Sequence, residues 1–326
     1  MGIDTRDITK ICPACFNDLD GNGTCPFCRK READLKNPPS ALPVRTMLNG
    51  RYLVGTRLGM GGFGITYVGR DMGRSRKVVI KEFFPKDFAV RESGGTRVNV
   101  NAPEVVSSYN HWFNAFVAEA KILMQIKYLH GVVKLLDFFE ANNSAYIVTD
   151  YLEGQSLYAY LKERGYRISA ESALNVLRPV FESLAILHEH GVIHKDISPE
   201  NILIVQNKYV KLIDFGAASL YKMKTPEKPY SVLKAGYSPI EFYRSDKYKQ
   251  GPFSDVYQAG ATLYNCVTGY IPATAAEREK SDTLPTPTKL GFKVPYHVEK
   301  AVMRALALLP ENRFQTIEQF MSALGI

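Results

Sequence analysis

The chain has 326 residues, 45% hydrophobic and 23% charged, which excludes a disordered polymer, a collagen and a disulfide miniprotein. Lys plus Arg total 41 and Asp plus Glu 33, a net +8; six bases and six acids cancel within residues 1–40, so the excess lies in 41–326. It forms no Lys/Arg run and reads as solubility charge, not as a nucleic-acid or membrane footprint. No apolar run reaches the ~18–20 residues of a membrane helix, and MGIDTRDITK lacks the apolar core of a secretory signal. A soluble, cytoplasmic chain with no membrane partner is therefore expected.

Residues 1–30 hold four of the five cysteines. Cys12-Pro-Ala-Cys15 and Cys25-Pro-Phe-Cys28 are two CxxC units nine residues apart, with DGNG at 20–23 to turn a hairpin between them. Four thiolates suit tetrahedral zinc, closed to water and hence structural; a redox dithiol pair or an iron site are the alternatives. The segment resembles a zinc ribbon. Its neutral charge argues for protein docking or regulation over nucleic-acid binding. Cys266, in LYNCVTG, reads as a buried core thiol. Residues 31–49, with Pro38-Pro39, read as a linker.

From Gly50 the pattern is that of a long folded domain. RYLVGTRLG, GITYVGRD and KVVIKEFF read as strands, and 111–128 has helical spacing. VVKLLDFFE and AYIVTDYL are further strands across Asn142-Asn143. Two amphipathic helices follow Gly154, then short strands at NILIV and VKLID, then mostly helix to Ile326. A sheet-based lobe joined to a helical lobe, with a cleft between them, is expected.

Gly59-Met60-Gly61-Gly62-Phe63-Gly64 fits G-x-G-x-x-G. A Rossmann loop with these letters leads into a helix, whereas GITYV continues as strand. The loop is thus a hairpin lid whose backbone N–H groups can cover phosphates. Lys81 follows in an apolar strand and needs a carboxylate partner; Glu119, on the next helix, is the candidate.

His194-Lys195-Asp196-Ile197-Ser198-Pro199-Glu200-Asn201 is followed, thirteen residues past Asn201, by Asp214-Phe215-Gly216. With the glycine loop and Lys81, this run resembles the catalytic core of protein kinases, over about residues 50–322. Ser238-Pro239-Ile240-Glu241, Asp255 and Arg313 stand at later landmarks of that family, where Glu241 and Arg313 would form a buried ion pair. The chain is identified as similar to bacterial eukaryotic-like Ser/Thr kinases.

The resemblance implies an α+β, two-lobed kinase fold: zinc ribbon 1–30, linker 31–49 and kinase domain 50–322, with its N-lobe at about 50–151 and its C-lobe at about 152–322. It implies ATP, Mg²⁺ and Zn²⁺ as bound groups. Gly59, Gly61 and Gly64 would cover the phosphates. Lys81, held by Glu119, would contact them, and Asn201 and Asp214 would bind Mg²⁺. Asp196 would orient the substrate hydroxyl and accept its proton. The adenine would lie between Thr66 and Val79 on one side and Leu203 on the other, bonded to the backbone at Asp150 and Leu152. Thr149 would be the gatekeeper, and Leu123, Leu135, His194 and Phe215 would form the hydrophobic spine. Partners would be proteins bearing Ser or Thr acceptors, with self-association for autophosphorylation at sites such as Thr225 and Ser231.

Three departures stand out. Lys195 replaces the usual Arg, offering a point charge in place of a bidentate fork for a phosphorylated loop. Ser198 replaces the lysine two residues after the catalytic Asp. Lys234 replaces a threonine that, in the family, touches both. Ser and Lys thus look exchanged, and Lys234 is expected to supply the ammonium missing from the loop. The alternative is a pseudokinase or ATP-binding scaffold with the ribbon as its docking module. The 38-residue gap from Lys81 to Glu119 also contains an extra segment, roughly 85–110, in which FAVR and RVNV can pair. It is either a solvated insert or a device that controls the Glu119 helix or docks the ribbon.

Overall fold

Strand-forming residues dominate up to Tyr151, and helix-forming stretches after it. A computed structural model describes residues 4, 6–126, 129, 131–206, 209–221 and 233–326. The chain divides into two units, Met1–Met124 with Lys134–Tyr151, and Gln125–Val133 with Leu152–Ile326.

The first unit carries β1 (Met47–Leu48), β2 (Tyr52–Met60), β3 (Gly64–Asp71), β4 (Arg76–Phe83), β5 (Ala89–Val90), β6 (Asn99–Val100), α1 (Val106–Gln125), β7 (Leu135–Ala141) and β8 (Ser144–Asp150). Six of the strands form one antiparallel sheet in the order β1-β2-β3-β4-β8-β7. In β4, Val78, Ile80 and Glu82 are buried while Lys77, Val79 and Lys81 are half-exposed, the period-2 alternation of a strand. The sequence places the first helix at 111–128; it begins five residues earlier, at Val106, because Tyr109 is buried and donates its hydroxyl to Asn143 O at 2.6 Å.

The extra segment folds as the β5–β6 hairpin that FAVR and RVNV suggested. Its Arg91 enters the unit with a fully buried guanidinium and pairs with the fully buried carboxylate of Glu82 on β4. Tyr67 and Tyr146 donate their hydroxyls to the same carboxylate at 2.8 and 2.9 Å. Arg91 also donates to Ser40 O at 2.7 Å, and Leu42 N donates to the Tyr67 hydroxyl at 2.9 Å. One carboxylate thereby ties β3, β4, β8, the inserted hairpin and residues 40–42 together. Leu42 is fully buried, and Ala41 and Leu48 are nearly so, so these parts of residues 31–49 pack into the unit.

The second unit carries β9 (Gly154–Ser156), α2 (Leu157–Lys162), α3 (Ala170–Glu189), β10 (Val192–Ile193), β11 (Ile202–Val205), β12 (Tyr209–Leu212), β13 (Ser219–Leu220), α4 (Ile240–Tyr243), α5 (Pro252–Thr268), α6 (Ala275–Lys280), α7 (Tyr296–Ala305) and α8 (Ile317–Leu324). α3 is capped by Ser169, whose side chain accepts from Ser172 N, and buries Leu177, Phe181, Leu184 and His188 along one stripe. α5 is buried nearly throughout and ends at Gly269, whose φ of +78° suits glycine. Cys266 on α5 is a core thiol, and burial pushes it up to about 12. Arg313 and Glu241 form a fully buried bidentate pair at 2.8 and 3.1 Å, as the family resemblance implied. No helix among the described residues is long and apolar enough to cross a membrane.

Arg91→Ala strands the Glu82 charge in the core and is expected to cost ~3–5 kcal/mol in urea denaturation. The double variant Arg91→Met/Glu82→Gln is expected to lose less than the single one. A single-variant loss below ~1 kcal/mol would contradict this assignment.

Candidate active site and four-cysteine cluster

Lys81 and Glu119 meet, with Nζ at 2.9 and 3.0 Å from the two carboxylate oxygens. Direct cross-strand pairing sets Thr66 opposite Lys81, and Val79 opposite both Val68 and Thr149. Thr66, Val79, Lys81 and Thr149 therefore share one face of the sheet. Asp150, at the end of β8, donates its N–H to Lys134 O at 3.1 Å. The glycines divide in a telling way. A Cβ at Gly64 would lie 2.7 Å from Glu82 O, so the fold itself demands glycine there. Cβ atoms at Gly59 and Gly61 would meet nothing within 4 Å. The fold leaves open space there, as a loop that admits a ligand close to its backbone requires.

In the second unit, residues 194–198 hang from α5. Asp255 Oδ2 accepts His194 N at 2.8 Å and His188 Nε2 at 2.8 Å, and Asp255 Oδ1 accepts Lys195 N at 2.8 Å. One helical turn on, Gln258 accepts Ile197 N at 3.1 Å and donates to Lys195 O at 2.9 Å. This spacing of three puts both side chains on one face of α5, against the loop backbone. Lys195 takes a φ of +67° and Asp214 one of +61°, two non-glycine residues held in the left-handed region. Burial pushes the Lys195 ammonium down to about 8. Burial pushes the His194 imidazole below its ordinary value, and the ring packs edge-on to Phe215 at 4.7 Å.

Asn201 donates its amide nitrogen to Asp196 O at 2.9 Å and to Asp196 Oδ2 at 2.7 Å. Lys234 reaches the same place from the other direction. Its Nζ lies 2.6 Å from Ser198 Oγ, 2.9 Å from Glu200 Oε2 and 3.8 Å from Asp196 Oδ1. Burial pushes the Glu200 carboxyl up, but Lys234 outweighs it and holds that carboxyl below its ordinary value. Glu200 is the residue that sequence reasoning passed over; its place two residues after Ser198 was the available signal. Asp214 accepts Gly216 N at 3.2 Å, and Ile213 N donates to Asn201 O at 2.9 Å, which brings that stretch beside Asn201. Leu203 lies half-buried on β11, and Leu152 begins the longer segment of the second unit. Thr225 and Ser231, with Lys222, Lys224 and Lys228, lie outside the described residues.

Cys12, Cys15, Cys25 and Cys28 converge with their sulfurs all within 4.8 Å of one another, 3.7 Å for Cys12–Cys28 and 3.4 Å for Cys15–Cys25. Tetrahedral zinc–thiolate bonds of ~2.3 Å place sulfurs about 3.8 Å apart, so the donor set and its spacing fit zinc. The two CxxC units repeat one design. Cys12 N donates to Asn17 O and Phe16 N to Cys12 O; Cys25 N donates to Lys30 O and Arg29 N to Cys25 O. Phe16 and Arg29 take φ of +63° and +59° at matching positions. Burial pushes the Cys12 thiol up to about 12. Burial also raises Cys15, but the Asn17 backbone N–H and side-chain amide outweigh it and hold it at about 7.

Asp255 carries a pH prediction. Burial raises its carboxyl, but His188, the His194 ring and the backbone N–H of His194 hold it below its ordinary 3.8. A depressed carboxyl stabilises the fold fully above its unfolded value, and that stability is lost as pH falls through the folded value. The stability difference between wild type and Asp255→Asn is therefore expected to be flat above about pH 5 and to shrink below about pH 4. Urea midpoints across pH check this, and a difference that persists unchanged at pH 3 would contradict it.

The family model for the protein kinase domain matches residues 52–315. A probable serine/threonine-protein kinase of Clostridium acetobutylicum is 26% identical over 86% of this chain and 40% of its own length. PrkC of Bacillus subtilis is 27% identical over 83% and 39%, and PknB of Mycolicibacterium smegmatis 28% over 85% and 43%. The chain thus spans about two fifths of the length of these relatives. The solved apo form of PpkA-294 is similar with a TM-score of 0.74 and 30% identity, over 87% of this chain and 99% of that one. The fold, the placement of Lys81, Glu119, Asp196 and Asn201, and the match over residues 52–315 agree: the chain belongs to the protein kinase domain family.

Proposed function

We propose that this chain is an ATP-dependent protein serine/threonine kinase. The carrying observation is the cluster around Asp196, a carboxylate set beside the Asn201 amide and the Lys234 ammonium. Phosphoryl transfer demands positioning and charge neutralisation more than covalent chemistry. Lys81, steered by Glu119, neutralises nonreacting phosphates, while the backbone of Gly59, Gly61 and Gly64 covers them. Thr66, Val79 and Leu203 offer apolar contact to the adenine, and Asp150 and Leu152 offer backbone groups to its edge. Asp196 orients the acceptor hydroxyl. The hydroxyl oxygen bonds to the γ-phosphorus, the bond to the β-phosphate oxygen breaks, ADP leaves, and the proton passes to the Asp196 carboxylate.

Asn201 and Asp214 are the hard-oxygen ligands for Mg²⁺. Both described bonds of Asn201 use its nitrogen, so its amide oxygen is the atom for the cation. When bound, Mg²⁺ supplies further neutralisation of phosphate charge.

Lys234 supplies the ammonium that neutralises the transferring phosphoryl group, in place of a loop lysine at position 198. Its support is geometric: Nζ bonds Ser198 Oγ at 2.6 Å. Glu200 holds the ammonium beside Asp196. The four-thiolate site holds structural zinc. Proteins with Ser or Thr hydroxyls are the substrates, and Thr225 and Ser231 are candidate autophosphorylation sites, with self-association as the route.

Transfer of label from γ-labelled ATP with Mg²⁺, to the chain and to a basic protein, tests the reading. Asp196→Asn is expected to lower the rate by ~10²–10⁴-fold and Lys234→Ala by ~10²–10³-fold. Wild type that binds ATP without transferring label would instead favour the scaffold reading. Elemental analysis is expected to find one zinc per chain, lost in Cys12→Ser/Cys15→Ser; zinc-free wild type, isolated without chelator, would contradict the metal assignment.

A further inference from the structure

The four-cysteine segment touches the nucleotide-loop strand at the one place where that strand leaves its own sheet. Between Val54 and Gly59, β2 slips against β3 twice. Val54 pairs with Gly69, Arg57 with Tyr67, and Gly59 with Thr66, so β2 takes up one extra residue at each step. Bulged residues need other partners for their backbone groups. Here the partners come from residues 1–40. Thr56 N donates to Pro13 O at 3.0 Å, inside the first CxxC. Asn37 donates to Gly55 O at 3.0 Å and accepts Arg57 N at 2.7 Å. A Cβ at Gly55 would lie 2.3 Å from Pro13 O and 2.7 Å from Phe16 Cζ, so the two segments are in close contact.

Phe16 sharpens the point. Its φ of +63° lies in the region that favours Gly or Asn. A knuckle built only to hold metal has no use for phenylalanine there. The ring is nevertheless buried, packed with Ile11, Leu53, Val68 and Met72. Burial on the sheet offsets the backbone cost. Register in an antiparallel pair decides which face each following side chain takes. The double slip at 54–59 thus sets the register in which Gly59 meets Thr66 and Gly61 N meets Gly64 O.

We infer that Pro13, Phe16 and Asn37 are positioning residues for nucleotide binding: the cysteine segment fixes the glycine-loop register. The inference rests on the kinase reading above. Its test is calorimetric titration of Mg·ATP into the full chain, with zinc content measured on the same samples. Phe16→Gly relieves the backbone strain and leaves all four cysteines; Asn37→Ala removes the bonds to Gly55 and Arg57 together with the one to Leu42 O. Both are expected to keep their zinc, to weaken the Kd for ATP about tenfold, equivalent to about 1.4 kcal/mol, and to raise KM for ATP with kcat changed less than about twofold. Zinc-loaded variants that bind ATP as wild type does would overturn the inference and leave the kinase reading standing. Wild type that binds no ATP would overturn both.

Discussion

A charge removed from water must be met by other groups, and each half of this protein is organised around a carboxylate that obeys this rule. In the first unit, Glu82 is met by Arg91, Tyr67 and Tyr146, which ties three strands to an inserted hairpin. The neighbouring residue is Lys81, so the strand that presents Lys81 to Glu119 is fixed from its opposite face. In the second unit, Asp255 is met by His188 and two backbone N–H groups, which suspends the Asp196 loop from a buried helix. The groups that meet these carboxylates are buried, whereas Lys81, Asp196 and Lys234 are half-exposed and keep access to solvent.

The same economy of partners explains the departures from the family pattern. A lysine at position 198 would have offered its ammonium from the loop itself. Ser198 leaves that space, and Lys234 fills it from the activation segment with its nitrogen 2.6 Å from the serine oxygen. Glu200 completes the arrangement at 2.9 Å. Lys195 is buried where an arginine fork is usual, and the cost shows in an ammonium pushed down to about 8. A buried point charge does not make the bidentate grip on a phosphorylated loop that an arginine fork makes.

Much of this was legible in the sequence because each feature had a local signature. The strands around Gly59–Gly64 showed as β-branched runs, the cysteines as paired CxxC units, and the Lys234–Ser198 exchange as two residues out of place at once. The Arg91–Glu82 pair was not legible. Arg91 lies in a polar insert and Glu82 in a strand whose alternation by itself would leave the charge of either face unremarked; only tertiary contact reveals that both are buried. Asn37 was hidden for a similar reason. Nothing local to a Pro-Pro stretch signals that its asparagine completes a bulge in a strand eighteen residues away. The early start of the first helix likewise depends on Tyr109 finding Asn143, a contact across thirty-four residues.

The central claim is that an ammonium from residue 234 does the work of a missing lysine at residue 198. The most direct measurement exchanges the two residues. Initial rates of phosphotransfer from labelled Mg·ATP would be compared for wild type, Lys234→Thr, and the double variant Ser198→Lys/Lys234→Thr. The account predicts a loss of ~10²–10³-fold in the single variant and recovery of most of it in the double variant. A single variant as active as wild type, or a double variant no better than the single, would contradict it.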